Sequence, residues 1–356
     1  MPEIAVVGAG NMGTAVTWPL CDNGHRVRLV GTHLDADIIR SCLEARYHPR
    51  LRRRLPDGVQ PYYIEQIAEA LDGVDVIVSG VNSLGVHWIG RTLAPLLRPG
   101  MTIITVTKGL EADLEGGLRI LPDVLAGELP PALREQVPIA AIAGPCLAAE
   151  LAVRRACAVV FASRDEAALY RLRDLFRNDY YHVWLSTDVV GVEACAALKN
   201  AYTLAVGAAG GMLDRAGGPD ELGVAMHNLA AAVFGASAWE MAQVLALMGG
   251  RPENMVGLPW AGDHFVTVTG GRTYRLGRLL GRGLTYTQAR DELGEPTLEG
   301  AFVVQQASQA LSAWEARRLI GPDDLPLLRM LCRAITQDKP VHIPWDDLFG
   351  RGKIML

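Results

Sequence analysis

The chain has 356 residues, half of them apolar, with a formal net charge of −5 and six cysteines. That length allows two domains of ordinary size, and the mildly acidic balance argues against a nucleic-acid-binding class. The cysteines are scattered, with no Cys-x-x-Cys and no His-x-x-x-His partner. No structural zinc or other metal centre and no disulfide framework is expected, which fits a reducing, cytoplasmic setting.

The N-terminus runs straight into a strand-like segment rather than the basic start and apolar stretch of a secretory signal. No window offers the uninterrupted apolar run that a membrane helix needs, so no membrane span is expected. Up to about residue 187, short β-rich runs alternate with helical periodicity. Strands are predicted over residues 4–7, 26–30, 74–79, 102–106, 139–143, 156–162 and 182–185, with helices over 14–23 and 64–71. Such alternation implies a mostly parallel sheet covered on both faces.

The first strand ends in Gly8-Ala9-Gly10-Asn11-Met12-Gly13. Strand, glycine turn and helix in that order form a dinucleotide fingerprint. Gly8 and Gly10 give the tight turn and let backbone N–H groups approach a pyrophosphate, and Gly13 lets the helix pack on the strand. NAD sites usually carry an acidic residue at the end of the second strand. Here that end reads Gly31-Thr32-His33-Leu34-Asp35, with the carboxylate late. Thr32 and His33, with an arginine from 50–54, are expected to accommodate a 2′-phosphate, which predicts NADP over NAD. By itself the cluster Arg50, Arg52, Arg53 and Arg54 reads as a solvated loop.

Beyond residue 187 the pattern becomes helical, over 189–212, 226–247, 288–293, 300–313 and 325–334. The expected architecture is an α/β Rossmann domain over 1–187 and an all-α substrate domain over 188–356. In the long apolar helix, Cys195, Lys199 and Thr203 share one face at i, i+4, i+8 spacing, and a lysine buried there must be paired. Gly262-Asp263-His264-Phe265-Val266-Thr267 supplies a carboxylate and a hydroxyl. Gly270-Gly271 before Arg272 and a helix over 273–280 resembles a phosphate cradle, with the arginine providing a planar donor fork. Arg275, Arg278 and Arg282 read as a solvated helix face. Lys108 follows the strand over 102–106, at the carboxyl edge where ligands of open sheets bind.

With these residues in view, the chain resembles the NAD(P)-dependent sn-glycerol-3-phosphate dehydrogenases of bacteria and archaea. The resemblance rests on Gly-Ala-Gly-Asn-Met-Gly-Thr-Ala from Gly8, Thr-Lys-Gly-Leu-Glu from Thr107, Gly-Pro-Cys-Leu-Ala-Ala-Glu from Gly144, Ala-Leu-Lys-Asn from Ala197, Gly-Asp-x-x-x-Thr from Gly262 and Glu299-Gly300. It implies a two-domain fold of the 6-phosphogluconate-dehydrogenase kind, a homodimer, and reduction of dihydroxyacetone phosphate for phospholipid synthesis.

Site residues follow from the same resemblance. Lys199 matches the catalytic lysine and Lys108 a second lysine of the substrate and nicotinamide pocket. Asp263 and Thr267 match residues that organise lysine and substrate. Gly144, Cys146, Asn200, Gly271, Arg272 and Thr273 match substrate positions. Asn11, Met12, Ala148, Arg272 and Glu299 match cofactor contacts. Cys146 stands where the family usually has a hydroxyl, Thr273 where it has Asn, and Trp260 and His264 where smaller or aliphatic residues are common. Those departures leave a different phosphorylated polyol or hydroxyketone open as substrate. A catalytically silent NADP-binding sensor is the reading from another class.

Overall fold

The computed structural model describes residues 2–294 and 298–350. Among the described residues, twelve strands occur in chain order: β1 (Ile4–Val7), β2 (Val27–Val30), β3 (Tyr47–His48), β4 (Arg53–Arg54), β5 (Val59–Tyr62), β6 (Val76–Ser79), β7 (Thr102–Thr105), β8 (Leu110–Ala112), β9 (Leu118–Ile120), β10 (Ile139–Ala143), β11 (Cys157–Ser163) and β12 (Tyr181–Ser186). Eight of them form one sheet in the order β12-β11-β10-β7-β6-β1-β2-β5. All neighbours in it are parallel except β10 and β11. The half β5-β2-β1-β6-β7-β10 is the dinucleotide-binding order, reversing direction at β1. Every residue of β1, β6 and β7 is buried, as expected for a parallel sheet covered on both faces. Separate apolar clusters on the two faces supply the cover.

The expected Rossmann-plus-helical class is therefore what forms. β5 went unseen in the sequence because Pro61 breaks its apolar run. Pro is tolerated here because β5 ends the sheet, with β2 as its only neighbour in it. The predicted helix over 14–23 is two shorter ones, Asn11–Ala15 and Thr17–Asp22, joined at Val16.

Two compact units emerge: residues 1–108 with 120–193, and residues 109–119 with 194–356. The division falls within the helix Val189–Arg215, after Glu193. In the second unit this helix packs closely on the helix Gly271–Gly281. A Cβ at Gly277 or Gly281 would collide with the carbonyl oxygen of Leu204 or Ala208, so glycine sets that approach. Between the same helices Asp214 accepts from Arg278 and Arg282 at 2.6 and 2.8 Å. Those guanidinium groups hold its carboxyl down at about 2. Arg278 and Arg282 are thus not merely a solvated face: i, i+4 spacing and the glycine contact bring both onto one carboxylate.

Glu240, on the helix His227–Leu247, accepts the N–H groups of Leu327 and Leu328 at 2.6 and 2.9 Å and the Tyr202 hydroxyl at 3.2 Å. It thereby caps the helix Pro326–Thr336, whose first N–H groups lack intrahelical acceptors.

Two helices are, by length and mean hydropathy alone, apolar enough to cross a membrane: Val189–Arg215 and His227–Leu247. Their mean hydropathy stays high although Glu193, Lys199 and Asn200 interrupt the first and Glu240 and Gln243 the second. The apolar window of the first is 94% buried within the protein, that of the second 33%, so the first is a core helix.

Candidate active site

The first unit holds the fingerprint. Gly8 has φ +114°, and a Cβ there would meet the Gly80 backbone, so only glycine fits the turn. A Cβ on Gly13 would collide with the Gly8 carbonyl oxygen, whereas at Gly10 it would meet nothing closer than 3.8 Å. Gly13 is thus a packing requirement, while Gly10 keeps one side of the turn open. Gly10 caps the helix Asn11–Ala15, where Asn11 is exposed and Met12 half-buried. An open glycine turn with the outward N–H groups of a helix start fits a dinucleotide pyrophosphate.

Two side chains brace the turn, and neither is among the expected site residues. Asp35 is buried, and its Oδ2 accepts from the Thr32 amide (2.9 Å), the Thr32 hydroxyl (2.7 Å) and the Ala9 amide (3.1 Å). The late carboxylate is turned into the fold. It also accepts the hydrogen bond that the Thr32 hydroxyl donates, which leaves His33 as the exposed polar side chain of that loop. The His33 ring stands edge-on to Trp88, with centroids 5.2 Å apart.

His48 is fully buried. Its Nδ1 accepts from the Leu51 amide at 3.0 Å, so the proton resides on Nε2, which donates to the Ala9 carbonyl at 2.9 Å. Burial holds its pKa below the ordinary value, so the ring is neutral. Ala9 is thus gripped through its N–H by Asp35 and through its C=O by His48. The sequence reading missed His48 because it lies within a run of arginines that reads as surface. The available signal was His48-Pro49 opening a β3–β4 hairpin, which pairs Tyr47 with Arg54 and His48 with Arg53. Arg50, Arg52, Arg53 and Arg54 are all exposed on that hairpin.

Lys108 Nζ donates to the Gly144 carbonyl at 3.3 Å. This ties the segment after β7 to the Gly144-Pro145-Cys146 turn after β10, as two segments of one parallel sheet edge should be. Ala148 begins the short helix Ala148–Leu151 that follows.

The second unit brings Lys199, Asp263 and Thr267 together. Lys199 is 5% exposed, and its Nζ donates to Asp263 Oδ1 and to Thr267 Oγ1, each at 2.7 Å. Thr267 in turn donates to the Asp263 carbonyl at 2.6 Å, and the Thr203 hydroxyl to the Lys199 carbonyl at 2.7 Å. The helix Asp263–Val268 places its first and fifth residues on one face. Carboxylate and hydroxyl therefore hold one ammonium from the same side.

Asn200 is buried, and a Cβ on Gly300 would lie 2.9 Å from its carbonyl oxygen and 2.7 Å from the Thr273 methyl. The absence of that Cβ draws Asn200, Thr273 and the Glu299-Gly300 pair together. Gly271 has φ +90° and starts the helix Gly271–Gly281, with Arg272 exposed in its first turn. Among the described residues, no cluster of His, Cys, Asp and Glu is arranged to hold a metal ion.

Trp260 and His264 belong to the core. Trp260 stands edge-on to Tyr202 at 5.8 Å, and the His264 ring stacks on Phe234 at 4.5 Å with 15° between planes. Burial, with Lys199 adding to it, pushes the His264 pKa down to about 3, and neither ring nitrogen has a hydrogen-bond partner among the described residues. Because the folded value lies below the ordinary 6.5, the neutral ring's stability is fully present above that pH and is lost as pH falls toward 3. The His264→Phe variant is expected to keep the stack and remove two buried unsatisfied nitrogens. Its thermal midpoint should match or exceed that of the parent at pH 7 and exceed it increasingly from pH 6 to pH 4. Parallel melting curves over that range would show no widening gap if His264 were solvated.

Comparisons with known proteins identify a family for the chain. Family models described as the NAD-dependent glycerol-3-phosphate dehydrogenase N-terminus and C-terminus match residues 3–169 and 188–345. The NADP(+)-dependent glycerol-3-phosphate dehydrogenase of Archaeoglobus fulgidus is 34% identical, over 90% of this chain and 91% of its own. The NAD(P)+ glycerol-3-phosphate dehydrogenase of Geobacillus kaustophilus is 30% identical, over 99% of this chain and 96% of its own. Among solved structures, the glycerol-3-phosphate dehydrogenase of Coxiella burnetii superposes with a TM-score of 0.79 at 28% identity, covering 95% of this chain and 96% of its own. The chain belongs to the NAD-dependent glycerol-3-phosphate dehydrogenase family.

Proposed function

We propose that the protein reversibly reduces dihydroxyacetone phosphate to sn-glycerol 3-phosphate, with Lys199 as general acid in reduction and general base in oxidation. The observation that carries this reading is the Lys199 ammonium, buried and held by Asp263 and Thr267 at 2.7 Å each. Gly8, Gly10, Asn11, Met12 and Gly13, with Ala148, Arg272 and Glu299, would hold NAD(P)H, which would supply the hydride. Hydride arrival at a ketone builds negative charge on its oxygen. A fixed ammonium stabilises that charge and delivers the proton. Lys108, steadied by the Gly144 carbonyl, adds a second positive charge for the substrate. The substrate phosphate meets Gly271, Arg272 and Thr273, with Asn200 and Cys146 as further contacts.

NADPH oxidation, followed by nicotinamide absorbance with dihydroxyacetone phosphate, unphosphorylated dihydroxyacetone and a panel of sugar phosphates, tests the reading. Turnover confined to dihydroxyacetone phosphate supports it. Turnover of another phosphorylated hydroxyketone instead would assign the Thr273 and Cys146 replacements to a changed specificity. NADPH binding with no turnover across the panel would favour a sensor.

The same proposal includes a preference for NADP. His48 pins the arginine-bearing hairpin to Ala9, and Asp35, turned inward, places no carboxylate where it would repel a 2′-phosphate. Arg50 is near enough to bias the His48 ring electrostatically. Arg50→Ala is expected to raise the KM for NADPH about tenfold and leave that for NADH unchanged. Equal effects on both cofactors would remove Arg50 from phosphate recognition. A homodimer in the cytoplasm completes the proposal. The helix His227–Leu247 leaves most of its apolar window unburied and Trp239 47% exposed, an area a second subunit would cover. Light scattering of the eluting protein reads the mass directly.

A further inference from the structure

All six cysteines are thiols. Burial pushes Cys21 and Cys332 up to about 12 and Cys42 to about 11, and Cys195 is fully buried in the helix Val189–Arg215. Cys146 and Cys157 differ. The antiparallel register of β10 and β11 runs from Ala140 opposite Ser163 to Ala143 opposite Val160. The ladder ends there: Gly144 turns with φ +106°, and the chain returns to Cys157, the first residue of β11, through the helix Ala148–Leu151. The two sulfurs lie 3.7 Å apart, and the Cys146 thiol donates to Cys157 Sγ. Both residues are half-buried, within reach of a small oxidant yet packed against the core that contains Tyr181.

We propose that Cys146 and Cys157 are an oxidisable dithiol that closes to an intrachain disulfide under a peroxide and reopens with a dithiol reductant. Cys157 is the attacking sulfur. The hydrogen bond from Cys146 outweighs burial and holds its thiol below the ordinary value, whereas an unassisted buried thiol stays protonated. Its thiolate attacks one peroxide oxygen, the O–O bond breaks, and the leaving hydroxide takes a proton to become water. The sulfenic acid left on Cys157 is then attacked by Cys146 sulfur. The S–S bond forms, the S–O bond breaks, and a second water departs. Two thiols are oxidised by two electrons while one peroxide becomes two waters.

Closure acts on the Gly144-Pro145-Cys146 turn that Lys108 braces. Resting on the proposed substrate role of that turn, it is expected to raise the KM for dihydroxyacetone phosphate about tenfold.

The test is a peptide map of the full-length protein after titration with hydrogen peroxide, digested without reductant. A single new cross-linked peptide joining Cys146 to Cys157, lost on treatment with dithiothreitol, is the expected result. In Cys146→Ser the same peroxide dose should leave a dimedone-reactive sulfenic acid on Cys157, while Cys157→Ser should leave Cys146 unlabelled. Before oxidation, iodoacetamide should alkylate Cys157 at least ~10-fold faster than Cys21, Cys42 and Cys332. Separate over-oxidation of the two residues, or cross-links involving other cysteines or a second chain, would overturn the proposal. The peptide map reads the pair whatever the substrate. A disulfide that forms with no change in KM therefore counts against the role of the turn and not against the dithiol.

Discussion

Replacing Lys199 by alanine is expected to lower kcat by about three orders of magnitude or more while leaving the NADPH dissociation constant within about twofold of the parent. The catalytic part follows from the chemistry of the carbonyl. Without the ammonium, charge on the substrate oxygen has neither a stabilising cation nor a proton donor where Asp263 and Thr267 now fix one. The cofactor part follows from the proposed contacts, since Lys199 is not among the residues assigned to the cofactor and the fingerprint's braces, Asp35 and His48, do not depend on it.

A stability effect comes with it. Lys199 and Asp263 are 6% and 2% exposed at their side chains, and removing one member of a buried ion pair costs about 3–5 kcal/mol. Loss of activity through unfolding must therefore be separated from loss of chemistry. Lys199→Met combined with Asp263→Asn removes both charges and keeps the volumes, so it should recover most of the stability and none of the turnover. The readouts are steady-state kinetics, NADPH fluorescence titration and urea unfolding of the parent, the single and the double variant. Activity surviving in Lys199→Ala, or returning in the double variant, would sink the assignment.

Much of this architecture is legible in the chain because the same physics sets sequence and structure. The short apolar, β-branched runs at Ile4–Val7 and at residues 76–78 read as strands buried on both faces, and they are. The fingerprint glycines are dictated by backbone contacts as close as those of Gly8 and Gly13. Lys199, in a helix with no other Asp, Glu, Lys, Arg or His between Glu193 and Asp214, demanded a counter-charge, and Asp263 is that counter-charge.

What escaped is equally physical. The role of Asp35 depends on a loop folding back three residues, which spacing does not show. His48 is a polar residue made structural by two backbone partners distant or local in the chain. Trp260 and His264 looked like changes to a substrate pocket because they flank Asp263. On a helix the residue adjacent in sequence points elsewhere, and here it points into an aromatic stack. The approach of Cys146 to Cys157 depends on the turn after β10 coming back onto the start of β11, which no periodicity in a single strand carries.

Glu193→Gln is expected to stabilise the protein increasingly as pH rises. Glu193 is fully buried, and neither carboxylate oxygen has a hydrogen-bond partner among the described residues. Burial pushes its pKa from 4.5 up to about 8, with Lys108 opposing the shift and Asp123 adding to it. A carboxyl raised in this way binds its proton more tightly folded than unfolded. Its contribution is therefore fully present below 4.5 and is lost as pH rises through about 8. At about 1.4 kcal/mol per unit, that window amounts to roughly 4–5 kcal/mol. Glutamine resembles the neutral acid in shape and does not ionise, so the variant escapes this loss.

The free energy of urea unfolding, measured for both proteins from pH 5 to pH 9, should diverge steadily and level off above pH 8. Lys108→Met provides an independent check. Without that positive charge the Glu193 carboxyl is harder still to ionise, so the plateau should move to higher pH. A gap between Glu193→Gln and the parent that does not change with pH would mean that the folded protein carries Glu193 ionised and solvated. A plateau unmoved by Lys108→Met would mean that Lys108 does not act on it.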